Sequence, residues 1–319
     1  MIRRGFTLME IMVSLLIFSV VSLALIGVLS AAVKLFRAGE AGRAASDETI
    51  ATLAQLDDDL KRMVPAADNG YLFTKTKGTK DINFTTNGII NSTGNMVLAF
   101  KIRNPDGGTI SKEGIGARLI VVWWVDDQGR LCRKSANAAD SGGNVSGNPP
   151  TEYGVTEEIY GTAQPVANGC LYFGVDLSTD AVPRTTLDWG PSNPGVGVTF
   201  STEPLSPGAI PDPFPTAIRI TTVLTGGSRN FSRGRAVKDD TNGIRVTGVG
   251  QVPVGAGVMA RLGNPATENV EWVRYSSFKG GVLNCTGTDR AQRRTTLMDA
   301  TGKEVTFAPS YTLVRTLPR

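Results

Sequence analysis

From Ile11 to Val33 the chain carries no charge and no polar side chain other than serine. A run of this kind is long enough to cross a bilayer, which takes about 20 residues at a rise of 1.5 Å each. From Lys34 to Val64 there is no proline, and Ile50, Leu53, Leu56, Leu60, Met63 and Val64 recur at three- and four-residue spacing. That period predicts one apolar face of an amphipathic helix. Asp47, Glu48, Asp57, Asp58, Asp59, Lys61 and Arg62 fill the other positions. Pro65 predicts the end, because the residue before a proline avoids the helical region. Gly39 and Gly42 each weaken the middle by about 1 kcal/mol relative to alanine. The pattern therefore predicts a single long helix. Its first half, apolar all round, suits a membrane; its second half, striped, suits packing on a sheet.

After Pro65 short apolar runs alternate with Gly, Asn, Thr, Ser and Pro. Strands are predicted at Met96–Arg103, Ala117–Val125, Arg130–Ser135, Leu171–Leu177, Val196–Phe200, Ala217–Leu224, Ile244–Gly248, Gly257–Ala260, Val305–Phe307 and Tyr311–Thr316. Asp126-Asp127-Gln128-Gly129 and Asp239-Asp240-Thr241-Asn242-Gly243 read as hairpin turns. Asn137–Pro150 and Pro204–Pro215 read as surface loops. No period repeats. The expected fold class is α+β: a long N-terminal helix packed on an antiparallel, β-rich domain, with either one sizeable core or two lobes sharing a sheet.

Glu10 gives the first half of the helix its chemistry. An ionised carboxylate near the centre of a bilayer costs about 2.5–3.5 kcal/mol and needs a partner. Cleavage after Gly5 would supply one, by freeing an α-amine on Phe6 that a carboxylate on a neighbouring subunit can meet. Gly5-Phe6-Thr7-Leu8-Met9-Glu10, behind the basic leader Met1-Ile2-Arg3-Arg4 and ahead of the apolar run, resembles the N-terminus of the type IV pilin family, including the pseudopilins of type II secretion.

The resemblance implies that prepilin peptidase cuts between Gly5 and Phe6 and N-methylates Phe6, and that Glu10 serves subunit assembly. It implies a leader at 1–5, a transmembrane and fibre-core helix at 6–33, its amphipathic continuation at 34–64 and a β-rich globular domain at 65–319. The implied partners are other pilin or pseudopilin subunits, prepilin peptidase, an inner-membrane assembly platform and the membrane itself. Arg3 and Arg4 favour a cytoplasmic N-terminus, while Lys34 and Arg37 beyond the run weaken that bias. The implied location is the bacterial inner membrane, single-pass, with the globular domain on the periplasmic side, and then a pilus or pseudopilus. A signal anchor with an incidental glutamate is the plainer alternative. A cleaved secretory signal fits worse, because its apolar core spans only about 7–15 residues. A twin-arginine signal fits worse as well, because no polar stretch follows Arg4.

Three further strings narrow the resemblance. Gln55–Arg62 resembles the end of the long helix in J-type pseudopilins and PilW-like minor pilins. Val121–Arg133 is similar to their central hairpin, and Pro215–Thr221 to a late strand. Their order points to a minor pilin or J-type pseudopilin, a non-catalytic subunit that helps initiate or cap a fibre. The alternative is a tip-located binding module, for adhesion or DNA uptake, on the same anchor.

Composition agrees with an assembly component. There is no histidine, which removes the commonest general base and metal ligand. No catalytic residue, cofactor or metal is expected. Asp57-Asp58-Asp59 reads as a solvated helix face. Asn137, Asp140, Ser141 and Asn144 could supply oxygens to calcium, though they match no fixed pattern and a plain loop is the better reading. An exported domain permits one disulfide among Cys132, Cys170 and Cys285. The pairing is open; Cys132–Cys170 is preferred because both fall in the segment best matched to the family, and three buried thiols is the alternative. The net charge of +4 is mild. Ser228–Arg235 is the one basic cluster with an aromatic, and an ordinary solvated loop is preferred to a nucleic-acid contact.

Overall fold

The computed structural model describes residues 8–68, 70–76, 95–104, 118–126, 128–137, 164–178, 199–202, 210, 212–224, 233–240, 243–249, 252, 258–264, 270–293, 295, 297–308 and 310–318. The chain forms two compact units, Met1–Ala44 and Ala45–Arg319. Helix α1 runs from Leu8 to Lys61 and supplies residues to both. In the first unit its large apolar side chains are exposed, from Leu8 at 79% through Phe36 at 67%.

In the second unit the helix ends where Pro65 predicts, and the chain turns through a 3-10 segment, Ala66–Asp68. The turn closes with the Gly70 amide on the Pro65 carbonyl at 2.9 Å. A Cβ at Gly70 would collide with the carbonyl oxygen of Val64, so this position requires glycine. Met63 bridges to Ile102 in the adjoining strand, and the Val64 amide donates to the Lys101 carbonyl at 2.9 Å, so the exit from the helix is stitched to the sheet.

All the strand pairs among the described residues are antiparallel. The first sheet holds β1 (Leu72–Thr76), β2 (Met96–Arg103), β3 (Arg118–Val125), β4 (Leu131–Asn137), β5 (Gln164–Ala167) and β7 (Thr199–Ser201), in the order β5-β4-β3-β2-β1-β7. The second holds β6 (Cys170–Ser178), β8 (Ala217–Leu224) and β16 (Ser310–Thr316), with β8 in the middle. The third holds β9 (Arg233–Asp240), β10 (Gly243–Thr247), β11 (Met259–Leu262), β12 (Glu271–Arg274), β13 (Ser277–Lys279), β14 (Val282–Asn284) and β15 (Glu304–Phe307), in the order β12-β11-β15-β9-β10-β14-β13.

The largest core joins the helix to the first two sheets: Leu56, Leu60 and Met63 pack with Leu98, Phe100, Trp123, Phe173, Ile218 and Ile220. β2 and β3 read as near-continuous apolar runs because they are covered on both faces, with Val97, Ala99, Val122 and Trp124 in a second cluster behind the first. The third sheet has its own core, built on Ala236, Ile244, Leu262, Val273, Val305 and Phe307, to which the helix contributes none of its described residues.

The predicted α+β class holds. Two sequence expectations are corrected. Ile50 is 61% exposed and Leu53 only half-buried, whereas Thr49, Thr52, Leu56, Asp59, Leu60 and Met63 face inward. The buried stripe is therefore rotated from the apolar one. Asp57-Asp58-Asp59 is not a solvated face: Asp59 is 2% exposed. Strands β2 and β8 fall at the predicted bounds, and most others within two residues. β1, β5, β9, β12, β13 and β14 were not legible. Gly129, at φ 70, completes the predicted hairpin turn between β3 and β4, and the Asp126 carboxylate ties that turn by accepting from the amides of Gln128 and Arg130 at 3.0 and 2.8 Å.

Candidate functional site

Gly5 and Phe6 lie outside the described residues, as does the side chain of Glu10; the Glu10 backbone is in the first turn of α1. Behind it, Ile11–Lys34 is a helical run of 24 residues apolar enough to cross a membrane. At 1.5 Å per residue it reaches about 36 Å, against about 30 Å of hydrocarbon. None of that run is buried inside the protein. The Ser19 hydroxyl donates to the Leu15 carbonyl at 2.8 Å, so its polar atom is satisfied within the helix itself.

Within the second unit, the helix is held to the β-domain by carboxylates as well as by its apolar stripe. Asp59 accepts from Arg133 Nε at 2.7 Å and Arg133 Nη2 at 2.8 Å, and from Trp123 Nε1 at 3.0 Å. These donors come from the two strands of the β3–β4 hairpin. Asp57 receives a two-point contact from Arg315 on β16 and a further ion pair from Lys61 at 2.8 Å. Those hydrogen bonds hold the Asp57 carboxyl down at about 2, below the usual carboxylate range. Glu48 accepts from the Asn168 amide at 2.7 Å, in the turn between β5 and β6. Only Asp58 of the acidic triplet is largely solvated, beside Arg62. The helix is thereby clamped at three levels to elements of two sheets, and twist or slide would break charged pairs.

No spacing in the sequence announces these clamps, because Arg133, Asn168 and Arg315 lie 74, 120 and 258 residues from their helix partners. Cys132, Cys170 and Cys285 are buried, unbridged thiols in this structure, and burial pushes Cys170 up to about 12. Asn137 ends β4, while Asp140, Ser141 and Asn144 lie outside the described residues. Of the basic cluster, Ser228–Ser232 lie outside them too; Arg233 and Arg235 stand on β9. No group of His, Cys, Asp or Glu among the described residues is arranged to hold a metal.

A helix apolar enough to cross a membrane, whose continuation is clamped to an antiparallel β-rich domain, fits a membrane-anchored α+β subunit. Residues 1–26 match the prokaryotic N-terminal methylation motif. The chain thus carries the signature of type IV pilins and pseudopilins, structural subunits that assemble with one another. No curated protein matches the chain.

Proposed function

We propose that this protein is a minor pilin or pseudopilin that helps initiate or cap a type IV pilus or type II secretion pseudopilus. In this reading 1–5 is a leader removed by prepilin peptidase, 6–33 the membrane and fibre-core helix, 34–64 its amphipathic continuation and 65–319 the globular domain. Phe6 is N-methylated, and Glu10 meets the Phe6 amine of a neighbouring subunit. The globular domain lies on the periplasmic side of the inner membrane until assembly.

The observation that carries the proposal is the methylation motif at 1–26 fused to a single helix long and apolar enough to span a bilayer. The clamps from Glu48, Asp57 and Asp59 support it, since a subunit extracted from the membrane by its partners has to transmit force from helix to domain without shearing. The separate core of the third sheet supports an end position, where a bulky domain meets few lateral neighbours.

N-terminal peptide mass analysis of the protein from membranes tests it. The mature chain should begin at Phe6 and carry one methyl group. A retained leader, or a cut beyond Val33, would remove the basis for the proposal.

A further inference from the structure

Where the second and third sheets meet, three buried side chains each hold a donor without an acceptor among the described residues. Arg261 on β11 and Arg293, in the segment after the 3-10 turn Gly287–Asp289, are 7% and 8% exposed, and Trp272 on β12 is 1% exposed. Arg261 stands directly opposite Trp272 in the β11–β12 register, which sets their Cβ atoms about 4.5–5.5 Å apart. The Arg293 guanidinium lies 4.3 Å from the centre of the Trp272 ring and 4.3 Å from that of Tyr172. Among the described residues none accepts a hydrogen bond from Arg261 Nε, Arg293 Nη1 or Trp272 Nε1.

The arrangement is built rather than incidental. Tyr172 lies over Gly174, where a Cβ would collide with its phenol ring. The Tyr172 and Trp272 rings meet at 65° with centres 5.7 Å apart. Ala291 and Arg293 hold positive φ, 52° and 54°, which side-chain-bearing residues adopt only under constraint from their surroundings. The Gln292 amide between them is pinned to the Trp272 carbonyl at 2.8 Å. Aromatic rings attract the guanidinium of Arg293 through its faces, so its remaining bonding capacity lies along its N–H edge.

Asp176 and Glu304 favour the charged forms of Arg293 and Arg261 from a distance, but neither takes a hydrogen bond from them. Asp176 takes Arg219 at 3.0 Å, and Glu304 takes the Thr306 hydroxyl at 3.2 Å. Arg290, only three residues from Arg293, shows how this region satisfies a buried arginine when it supplies the acid: it reaches both Glu271 oxygens, both Asp239 oxygens and the Met298 carbonyl. Burial pulls Arg261 and Arg293 down to about 10, which leaves both charged at neutral pH. A buried donor left without an acceptor is costly, more so on a charged group.

We propose that Arg261, Trp272 and Arg293 form a binding site for a small oxyanion, a phosphate-like or carboxylate group that accepts from the guanidinium edges and the indole N–H. The depth of both arginines favours a small free anion over an acidic segment of a macromolecule.

The test uses the full-length chain in detergent, titrated with sodium phosphate, sulfate or acetate at constant ionic strength, with Tm and tryptophan emission as readouts. A site gives a rise in Tm that follows the logarithm of anion concentration above a midpoint, together with saturable emission. General exclusion of sulfate or phosphate from the surface gives a gradual rise without a midpoint. The proposal expects saturation by at least one anion, with phosphate against acetate telling tetrahedral from planar recognition. Arg261→Gln and Arg293→Lys should each weaken that midpoint about tenfold or more. Arg103→Gln, exposed on β2 of the first sheet, should leave it unchanged. No saturation in the wild type, or an unmoved midpoint in a folded Arg261 or Arg293 variant, would overturn the site. Trp272→Phe removes the third donor while keeping an aromatic ring, so it serves where an arginine variant does not fold. It should weaken the midpoint several-fold, and an unmoved one would equally overturn the site.

Discussion

Arg133 grips Asp59 with two parallel N–H donors, at 2.7 and 2.8 Å, across 74 residues of sequence. The carboxylate is almost wholly buried, at 3% side-chain exposure against 20% for the arginine, and Trp123 adds a third donor. Breaking one side of such a buried pair leaves a charge stranded, at a cost of about 3–5 kcal/mol. Asp59→Ala should therefore lower the unfolding free energy of the β-domain by about that much. Asp58→Ala, one residue away and exposed, should change it by no more than about 0.5 kcal/mol. Denaturant titration of the full chain in detergent, followed by tryptophan emission, makes the comparison; equal effects would mean that Asp59 does not clamp the helix.

Asp57 predicts an acid-limb effect. Its folded carboxyl titrates near 2 against an ordinary 3.8, chiefly because Arg315 hydrogen-bonds the charged form. The depressed value means that its stabilisation is fully present above about pH 4 and is lost as pH falls through about 2. In Tm measurements between about pH 5 and 2, Asp57→Asn should lower Tm at the upper end and converge on wild type at the lower. A constant offset across the range would contradict the linkage.

The cysteines predict a labelling pattern. All three are buried thiols, so a maleimide should react slowly with the folded chain. Denaturation without reductant should expose three reactive thiols per chain. A Cys132–Cys170 bridge in the exported protein would leave Cys285 alone to label, and intact mass would separate the two outcomes.

Glu10 predicts an assembly phenotype. Glu10→Ala removes a charge from the apolar end of the helix, so the monomer should still insert, as membrane fractionation would report. Co-purification with partner pilins should fall. Unchanged recovery and unchanged fibre or secretion output would leave Glu10 with a role only in peptidase recognition.

The legible parts of this protein are those whose signals are local. Hydrophobic period and Pro65 place the long helix and its end. The β-branched and aromatic runs place β2 and β3, because strands covered on both faces need apolar residues at nearly every position. β9 escaped notice for the opposite reason: Arg233–Asp240 carries mostly polar, exposed side chains, and it is a strand because β10 and β15 pair with it on both edges.

By itself, then, the sequence determined the membrane-capable apolar helix, the N-terminal methylation motif and the α+β class, since each depends on residues within a few positions of one another. The tertiary structure alone decided which face of the helix turns inward. Ile50 is left exposed and Asp59 buried because Trp123 and Arg133, distant in sequence, offer the carboxylate three donors on that side. It alone decided which arginines lose solvent, too. Arg261, Arg290 and Arg293 are alike in sequence. Only the folded chain gives Arg290 two carboxylates, sets Arg261 opposite Trp272 and leaves Arg293 over two aromatic rings, because hydrogen-bond partners for buried charges are set by three-dimensional proximity rather than by spacing along the chain.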